Sequence, residues 1–295
     1  MQAATSQYKL IKKVRDERFD EELIHQYDLL IHIGTRDLQA AVIDTTDTRL
    51  VLLEDYVLPN VNSEDELLDA VEQIFDSHAS LRAGFWHKIK ISFKNQKFVQ
   101  VPSSLFIEEA AESYLQFNAS YDSSSEDILC VNHQRTDTIT VFAVWDKLKD
   151  WFQKIYPNKH PIFLHQSACL IDSVLKYADG YYDNPLYIYV DRFRLHVLSC
   201  KEGKLVYYNQ FIIKQFADYV KYIMLVMKSL NMDQQTSQVV LWGYIGKNSP
   251  HYHEFYKYIN NVTFGKRPDF LQFGYMFDEI QDHHFFDLYG MHLLE

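Results

Sequence analysis

Short apolar runs closed by turn residues alternate with apolar positions at helical spacing along most of the chain. Leu29-Leu30-Ile31-His32-Ile33 ends on Gly34-Thr35, and Leu38 to Asp44 and Arg49 to Val57 follow after short polar turns such as Thr45-Thr46-Asp47-Thr48. This alternation predicts three short-linked, antiparallel strands. Ser63 stands three residues before Glu66, a capping-box spacing, and Leu67, Leu68, Val71, Ile74 and Phe75 share one helical face, which predicts a helix packed on the meander. A strand over Lys88 to Phe93 and a helix from Ser103-Ser104 to about Phe117 are expected next. Beyond the loop Ser123-Ser124-Ser125, the pattern predicts strands at Asp127 to Asn132 and Thr138 to Val144 and a helix at Trp145 to Tyr156. A strand at Pro161 to Leu164 and a helix at Gln166 to Ala178 complete this part.

After Gly180 the programme restarts. Strands are expected at Leu186 to Val190, Arg194 to Cys200 and Lys204 to Ile213, with a turn at Glu202-Gly203, then a helix from Lys214 to Leu230, a strand from Gln238 to Trp242 and a helix at about Pro250 to Asn260. Ile89 follows Glu64 by 25 positions, and Val239 follows Lys214 by the same 25. Two similar α/β domains facing a central cleft are the economical reading, and such clefts are the usual place for a ligand. We expect residues 1–178 to form the first domain, with a hairpin and helix inserted at about 120–160, and residues 179–295 the second. The charged residues 1 to 27 are expected to be an exposed lead-in.

Composition narrows the functions available. The chain has 295 residues, 47% of them hydrophobic, enough for a sizeable core, and its 21 Tyr and 20 Phe leave aromatic rings for a surface that another chain could cover. A net charge of -11 disfavours nucleic acid; Lys12, Lys13, Arg15 and Arg18 are offset by Asp16, Glu17, Asp20, Glu21 and Glu22. Three dispersed cysteines, Cys130, Cys169 and Cys200, argue against a disulfide framework and fit a reducing cytoplasm. No apolar stretch has signal-peptide form, and Tyr222 to Met227 is too short to span a bilayer, so no transmembrane segment is expected.

The duplicated unit, over roughly residues 28 to 265, resembles the actin-like ATPase superfamily of ribonuclease H-like domains, which includes actin, sugar kinases and heat-shock chaperones. Within it the chain is similar to divergent members of bacterial pilus-assembly and secretion systems and to a related uncharacterised bacterial family. The resemblance implies four places where nucleotide would be held. A strand ending in Asp-x-Gly-Thr holds phosphate on its backbone N–H groups while the Asp orients hydrated magnesium; here it reads His32-Ile33-Gly34-Thr35, with imidazole in place of the carboxylate. The equivalent hairpin of the other half keeps Asp191 but continues Arg192-Phe193-Arg194 without glycine. A Glu-Pro-x-Ala-Ala segment that positions water corresponds to His165-Gln166-Ser167-Ala168-Cys169. A Gly-Gly pair that packs on adenosine corresponds to Trp242-Gly243-Tyr244-Ile245-Gly246.

Phosphoryl transfer depends on positioning and metal-borne electrostatics, and the carboxylates that would supply them are largely replaced. The expectation is therefore a pseudo-ATPase: a catalytically inactive, cytoplasmic interaction or scaffold protein with no cofactor and with an unknown protein partner. The alternative is an ATP-binding member, with magnesium, whose nucleotide touches Gly34, Thr35, Arg36, Asp191 and Gly243. The inserted segment Asp127 to Tyr156 resembles the accessory subdomain that pilus-assembly and cell-division relatives use for protein contacts; completing the sheet would be its plainer role. His251, His253, His283, His284 and His292 are read as surface and capping histidines, because His251 and His253 at i, i+2 diverge on a helix.

Overall fold

The apolar runs become three sheets in a computed structural model that describes residues 7–179, 185–192, 194–246 and 248–295. By contact the chain separates into two units, residues 1–169, 269–279 and 288–295 in one and 170–268 and 280–287 in the other. A single cut at 178/179 does not describe this division, because the chain returns to the first unit twice near its C-terminal end.

In the first unit the strands are β1 (Lys9–Arg15), β2 (Tyr27–Gly34), β3 (Asp37–Asp44) and β4 (Arg49–Val57), followed by α1 (Glu64–Asp76) and β5 (Lys88–Lys94). Ser63 caps α1 through its Oγ, which accepts the Glu66 N–H at 3.2 Å, and Leu67, Ala70, Val71, Ile74 and Phe75 are buried as the helical spacing predicts. Then come β6 (Phe98–Pro102), α2 (Ala111–Gln116), β7 (Glu126–Asn132), β8 (Thr138–Trp145), α3 (Asp146–Ile155), β9 (Ile162–His165) and α4 (Gln166–Tyr177). The main sheet runs β1-β4-β3-β2-β5-β9. β2 lies between antiparallel β3 and parallel β5, and all eight of its residues are buried. β6, β8 and β7 form a separate three-stranded sheet.

Two expectations for this unit are corrected. The charged lead-in contains β1, an edge strand paired antiparallel to β4, with Val14 buried and Lys13 Nζ 2.6 Å from the buried Glu54. Its lysines, which resemble a solvated tail in the sequence, are the usual protection of an edge strand. The expected helix from Ser103 is shortened to α2, and the preceding residues form 3-10 turns. Tyr114 explains the break: its hydroxyl donates to the Leu105 carbonyl at 2.6 Å and accepts the Ile107 N–H at 3.2 Å, so these backbone groups are taken before a helix could use them.

The second unit repeats the pattern with β10 (Leu186–Val190), β11 (Arg194–Lys201), β12 (Lys204–Ile212), α5 (Phe216–Ser229), β13 (Val239–Gly243), α6 (Pro250–Tyr256) and β14 (Val262–Phe264), in the order β12-β11-β10-β13-β14. β10 pairs antiparallel with β11 and parallel with β13, as β2 does with β3 and β5. Glu202 (φ 52°) and Gly203 (φ 71°) make the tight turn between β11 and β12. Asp218 accepts the Lys214 and Gln215 N–H groups, both at 3.0 Å, at the start of α5. Ile223, Val226 and Met227 pack with Ile188, Val197 and Leu241 in this unit's core. Two short elements complete the chain: β15 (Gln272–Phe273), parallel to β4 in the first unit, and α7 (Phe286–Gly290).

The last residues of the first unit are held by a buried lysine in β5. Lys90 Nζ donates to the carbonyls of Met291, His292 and Leu294 at 3.3, 3.1 and 2.5 Å, which uses its three N–H donors. Burial lowers the Lys90 pKa, and burial followed by the Lys90 charge lowers that of His292 from its ordinary 6.5. Below pH 6.5 the unfolded chain therefore takes up a proton at residue 292 that the folded chain does not, so stability falls as pH drops through that value. In His292→Gln the loss of urea resistance between neutral pH and pH about 5.5 should be smaller than in the parent, with a ceiling of about 1.4 kcal/mol per pH unit.

Candidate functional site

The turn between β2 and β3 is where the resemblance places phosphate. Gly34 closes β2, and Thr35 and Arg36 are exposed on the turn. Lys94, the last residue of β5, is the register partner of Gly34. Its buried side chain crosses to β3, where Nζ lies 2.8 Å from Asp37 Oδ2 and 3.3 Å from Gln39 Oε1. A Cβ on Gly34 would stand 2.6 Å from Asp37 Oδ1 and 3.3 Å from the Cβ and Cδ of Lys94. The space behind the glycine is thus filled by the chain's own ion pair.

A cavity of about 200 Å³ beside this turn is lined by Gly34, Thr35, Lys94 and Asn95 together with Glu64, Lys97, Glu126 and residues of β8 and α3. Small-molecule sites run from about 300 to 1,000 Å³, so this one is small for a nucleoside triphosphate. Its charges are also answered internally. Lys97 Nζ lies 2.5 Å from Glu126 Oε1, and burial, with Glu126 next, raises the Glu64 pKa.

His32 is buried within β2, with Gln39 and Ser92 as its register partners on either side. His165 closes β9 between the rings of Phe98 and Phe142, at centroid distances of 4.6 and 5.5 Å. Its Nδ1 lies 3.1 Å from the Ser167 backbone nitrogen, whose N–H points to it, and 2.7 Å from the Ser167 Oγ. At this position an imidazole packed between two aromatic rings stands where the resemblance places a carboxylate.

Asp191 and Gly243 belong to the second unit. Asp191 is buried, and its Oδ1 accepts the Arg192 N–H at 2.7 Å while its own N–H donates to the Arg194 carbonyl at 2.9 Å. Phe193 lies outside the described residues. Gly243 has φ +96°, and a Cβ there would fall 2.1 Å from the Val190 carbonyl oxygen. Its N–H donates to the His283 carbonyl at 2.8 Å, and the next N–H, of Tyr244, donates to Val190 at 2.7 Å. The close approach of β13 to the end of β10 is sufficient reason for glycine at this position.

Two cavities open around this loop. One of about 380 Å³ is lined by Val190, Asp191, Arg192, Tyr219, Tyr244, Ile245 and Phe255, and the Arg192 guanidinium sits 4.4 Å over the Tyr244 ring. The other, of about 530 Å³, is bounded by Gly246, Asn248, Ser249, Phe264, Gly265, Lys266, Gln281, Asp282 and His283. His283 is fixed as a wall, with Nε2 2.7 Å from the Ile245 carbonyl and its ring 4.3 Å from that of Phe264. Among the described residues no three His, Cys, Asp or Glu side chains converge in a way that could hold a metal ion.

The three-stranded sheet of the first unit carries a feature that the spacing analysis missed. Val101, Ala111, Leu115, Val141 and Ala143 form its core, yet Leu105, Ile107 and Phe117 are 66, 59 and 88% exposed. Tyr114 binds the backbone of both Leu105 and Ile107, and Phe117 follows it by three residues as the C-cap of α2. The apolar run Leu105-Phe106-Ile107 between Ser103-Ser104 and Glu108-Glu109 was the signal available for an exposed apolar loop.

A family model described as a protein of unknown function, DUF3822, matches residues 16–262. Among solved structures, a protein of Bacteroides thetaiotaomicron with an actin-like ATPase fold and unknown function aligns with a TM-score of 0.79 at 18% identity, covering 94% of this chain and 99% of that one. The PilM–PilN type IV pilus biogenesis complex aligns with a TM-score of 0.61 at 12% identity, covering 90% of this chain and 97% of that one. A search of curated proteins finds no match. The fold is that of the actin-like ATPases.

Two substitutions separate structural from ligand-facing positions. Lys94→Met leaves the Asp37 carboxylate buried without its ammonium and should cost about 3–5 kcal/mol in chemical denaturation, most of it recovered when Asp37 is made apolar as well. Gly243→Ala should cost about 1–3 kcal/mol or more from positive φ and the Val190 contact. Gly246→Ala, where a Cβ meets nothing within 4 Å, should stay within about 0.5 kcal/mol of the parent.

Proposed function

The chain belongs to the DUF3822 family and has the actin-like ATPase fold, and from that premise we propose that it is a non-catalytic protein that works by binding another protein. The observation that carries this reading is the Lys94–Asp37 pair behind Gly34. A phosphate-binding turn offers backbone N–H groups to the anion, and here the ammonium nearest the turn, which could have added charge, is already neutralised by a carboxylate in the same fold. His165 and the glycine-free turn after Asp191 support the same conclusion for the water-positioning and second phosphate segments.

A binding role needs a surface, and the exposed Leu105, Ile107 and Phe117 of the accessory sheet are the best candidate. The structurally similar PilM is seen in a complex with PilN, which supports a partner-binding use of this fold without naming a partner for this chain. The proposed setting is a bacterial cytoplasm, with the dispersed thiols fitting a reducing compartment; among the described residues no helix is long and apolar enough to cross a membrane. ATP binding is the second reading, and the cavity of about 530 Å³ beside Gly246 and Lys266 is what favours it.

Replacing Leu105, Ile107 and Phe117 together by Glu should leave the melting temperature unchanged, because all three side chains are exposed, and reduce recovery of partners from native lysate at least about tenfold, equivalent to about 1.4 kcal/mol. Undiminished recovery by the triple variant would remove this face from the account.

A further inference from the structure

The exposed apolar residues of the accessory sheet lie in a stretch of chain that carries one sign of charge. From Phe98 to Gln134 there is no lysine or arginine, while Glu108, Glu109, Glu112, Asp122, Glu126 and Asp127 are all present. Two of these carboxylates are answered from outside the stretch, Glu126 by Lys97 and Asp127 by Lys149. Glu108, Glu109 and Glu112 are exposed and form no ion pair among the described residues.

These three carboxylates stand beside the apolar groups. The Tyr114 hydroxyl, bonded to the backbone of Leu105 and Ile107, holds that segment against α2, the helix that carries Glu112 and is capped by Phe117. Glu108 and Glu109 follow Ile107 directly, and Glu112 Oε1 accepts from Gln116 Nε2 at 2.9 Å, next in the chain to Phe117. Neighbouring groups feel the charge. Burial, then Glu112, Asp127, Glu126 and Asp122, raises the Tyr121 pKa, and burial, then Glu108, raises that of Cys130 on β7.

Whatever covers Leu105, Ile107 and Phe117 must also lie against Glu108, Glu109 and Glu112. A neutral apolar cover would desolvate carboxylates without giving them a partner, and an acidic one would bring like charge within the screening length of about 10 Å. Lysine and arginine meet both demands, because their stems lie along apolar surface while their heads reach the carboxylates. We propose that this face docks a basic amphipathic segment of a partner protein, whose apolar side chains cover Leu105, Ile107 and Phe117 and whose lysine or arginine heads meet Glu108, Glu109 and Glu112. This partner chemistry rests on the protein-binding reading above.

Random peptides displayed on phage test it, selected on the immobilised full chain and counter-selected on a variant with Leu105→Ser, Ile107→Ser and Phe117→Ser. Serine is used because added glutamate would itself attract a basic peptide. The survivors should be rich in both apolar residues and lysine or arginine. One of them, synthesised and titrated by fluorescence anisotropy, should bind at least about tenfold more weakly when Glu108→Gln, Glu109→Gln and Glu112→Gln are combined. Its affinity should also fall as salt rises from about 0.1 M to about 1 M, which shortens the screening length from about 10 Å to about 3 Å. The glutamine changes are on exposed side chains and should leave the melting temperature of the parent. Survivors that are neutral or acidic, or that bind the glutamine variant as tightly as the parent, overturn the basic partner and leave the protein-binding reading standing. If no peptide distinguishes the parent from the serine variant, both fall.

Discussion

An ammonium group buried 2.8 Å from a carboxylate at the end of the central strands decides how the rest of the first unit is read. Desolvating Lys94 and Asp37 is costly, and their mutual contact, with Gln39 as a further acceptor, offsets that cost. The pair also crowds the turn: a Cβ on Gly34 would meet Asp37 Oδ1 at 2.6 Å and Lys94 at 3.3 Å, so a side chain there would have to displace the ion pair. The feature that looks like a phosphate cradle in the sequence is therefore explained by packing within the protein. Its glycine is retained for β2, β3 and β5 to meet.

The same logic holds in the second unit with different residues. Gly243 lies against the Val190 carbonyl, Asp191 bonds its own turn, and Arg192 rests on Tyr244. Each unit keeps the strand order that the fold requires and uses its turn residues for internal contacts. What differs between them is the edge. β1 pairs with β4, while among the described residues no strand pairs with the outer side of β12.

Much of this was legible from periodicity. The meander, α1 with its Ser63 cap, and the restart at Leu186 all follow the apolar pattern closely, because short turns and one-sided burial leave strong signals. β1 was not legible, since a lysine-rich stretch looks the same on an edge strand and on a solvated tail. The return of the C-terminal residues to the first unit was also hidden: Lys90 reaches Met291 across 201 positions, and β15 is two residues long. At the site, Gly34, Thr35 and Asp191 could be picked out, but the role of Lys94 could not. A lysine ending a strand normally points to water, and its partner Asp37 is 57 positions away. His32, the most conspicuous substitution in the sequence, is a buried member of the sheet, and the turn is closed by Lys94 instead.

The central proposal is that the residues of the actin-like turns make contacts within this protein and do not hold nucleotide phosphate. Melting the parent protein with and without ATP and magnesium tests it most directly, because binding at 100 times the dissociation constant adds about 2.7 kcal/mol of stability. The account predicts an unchanged melting temperature. A reproducible ATP-dependent rise that Thr35→Ala and Asp191→Ala abolish would contradict it.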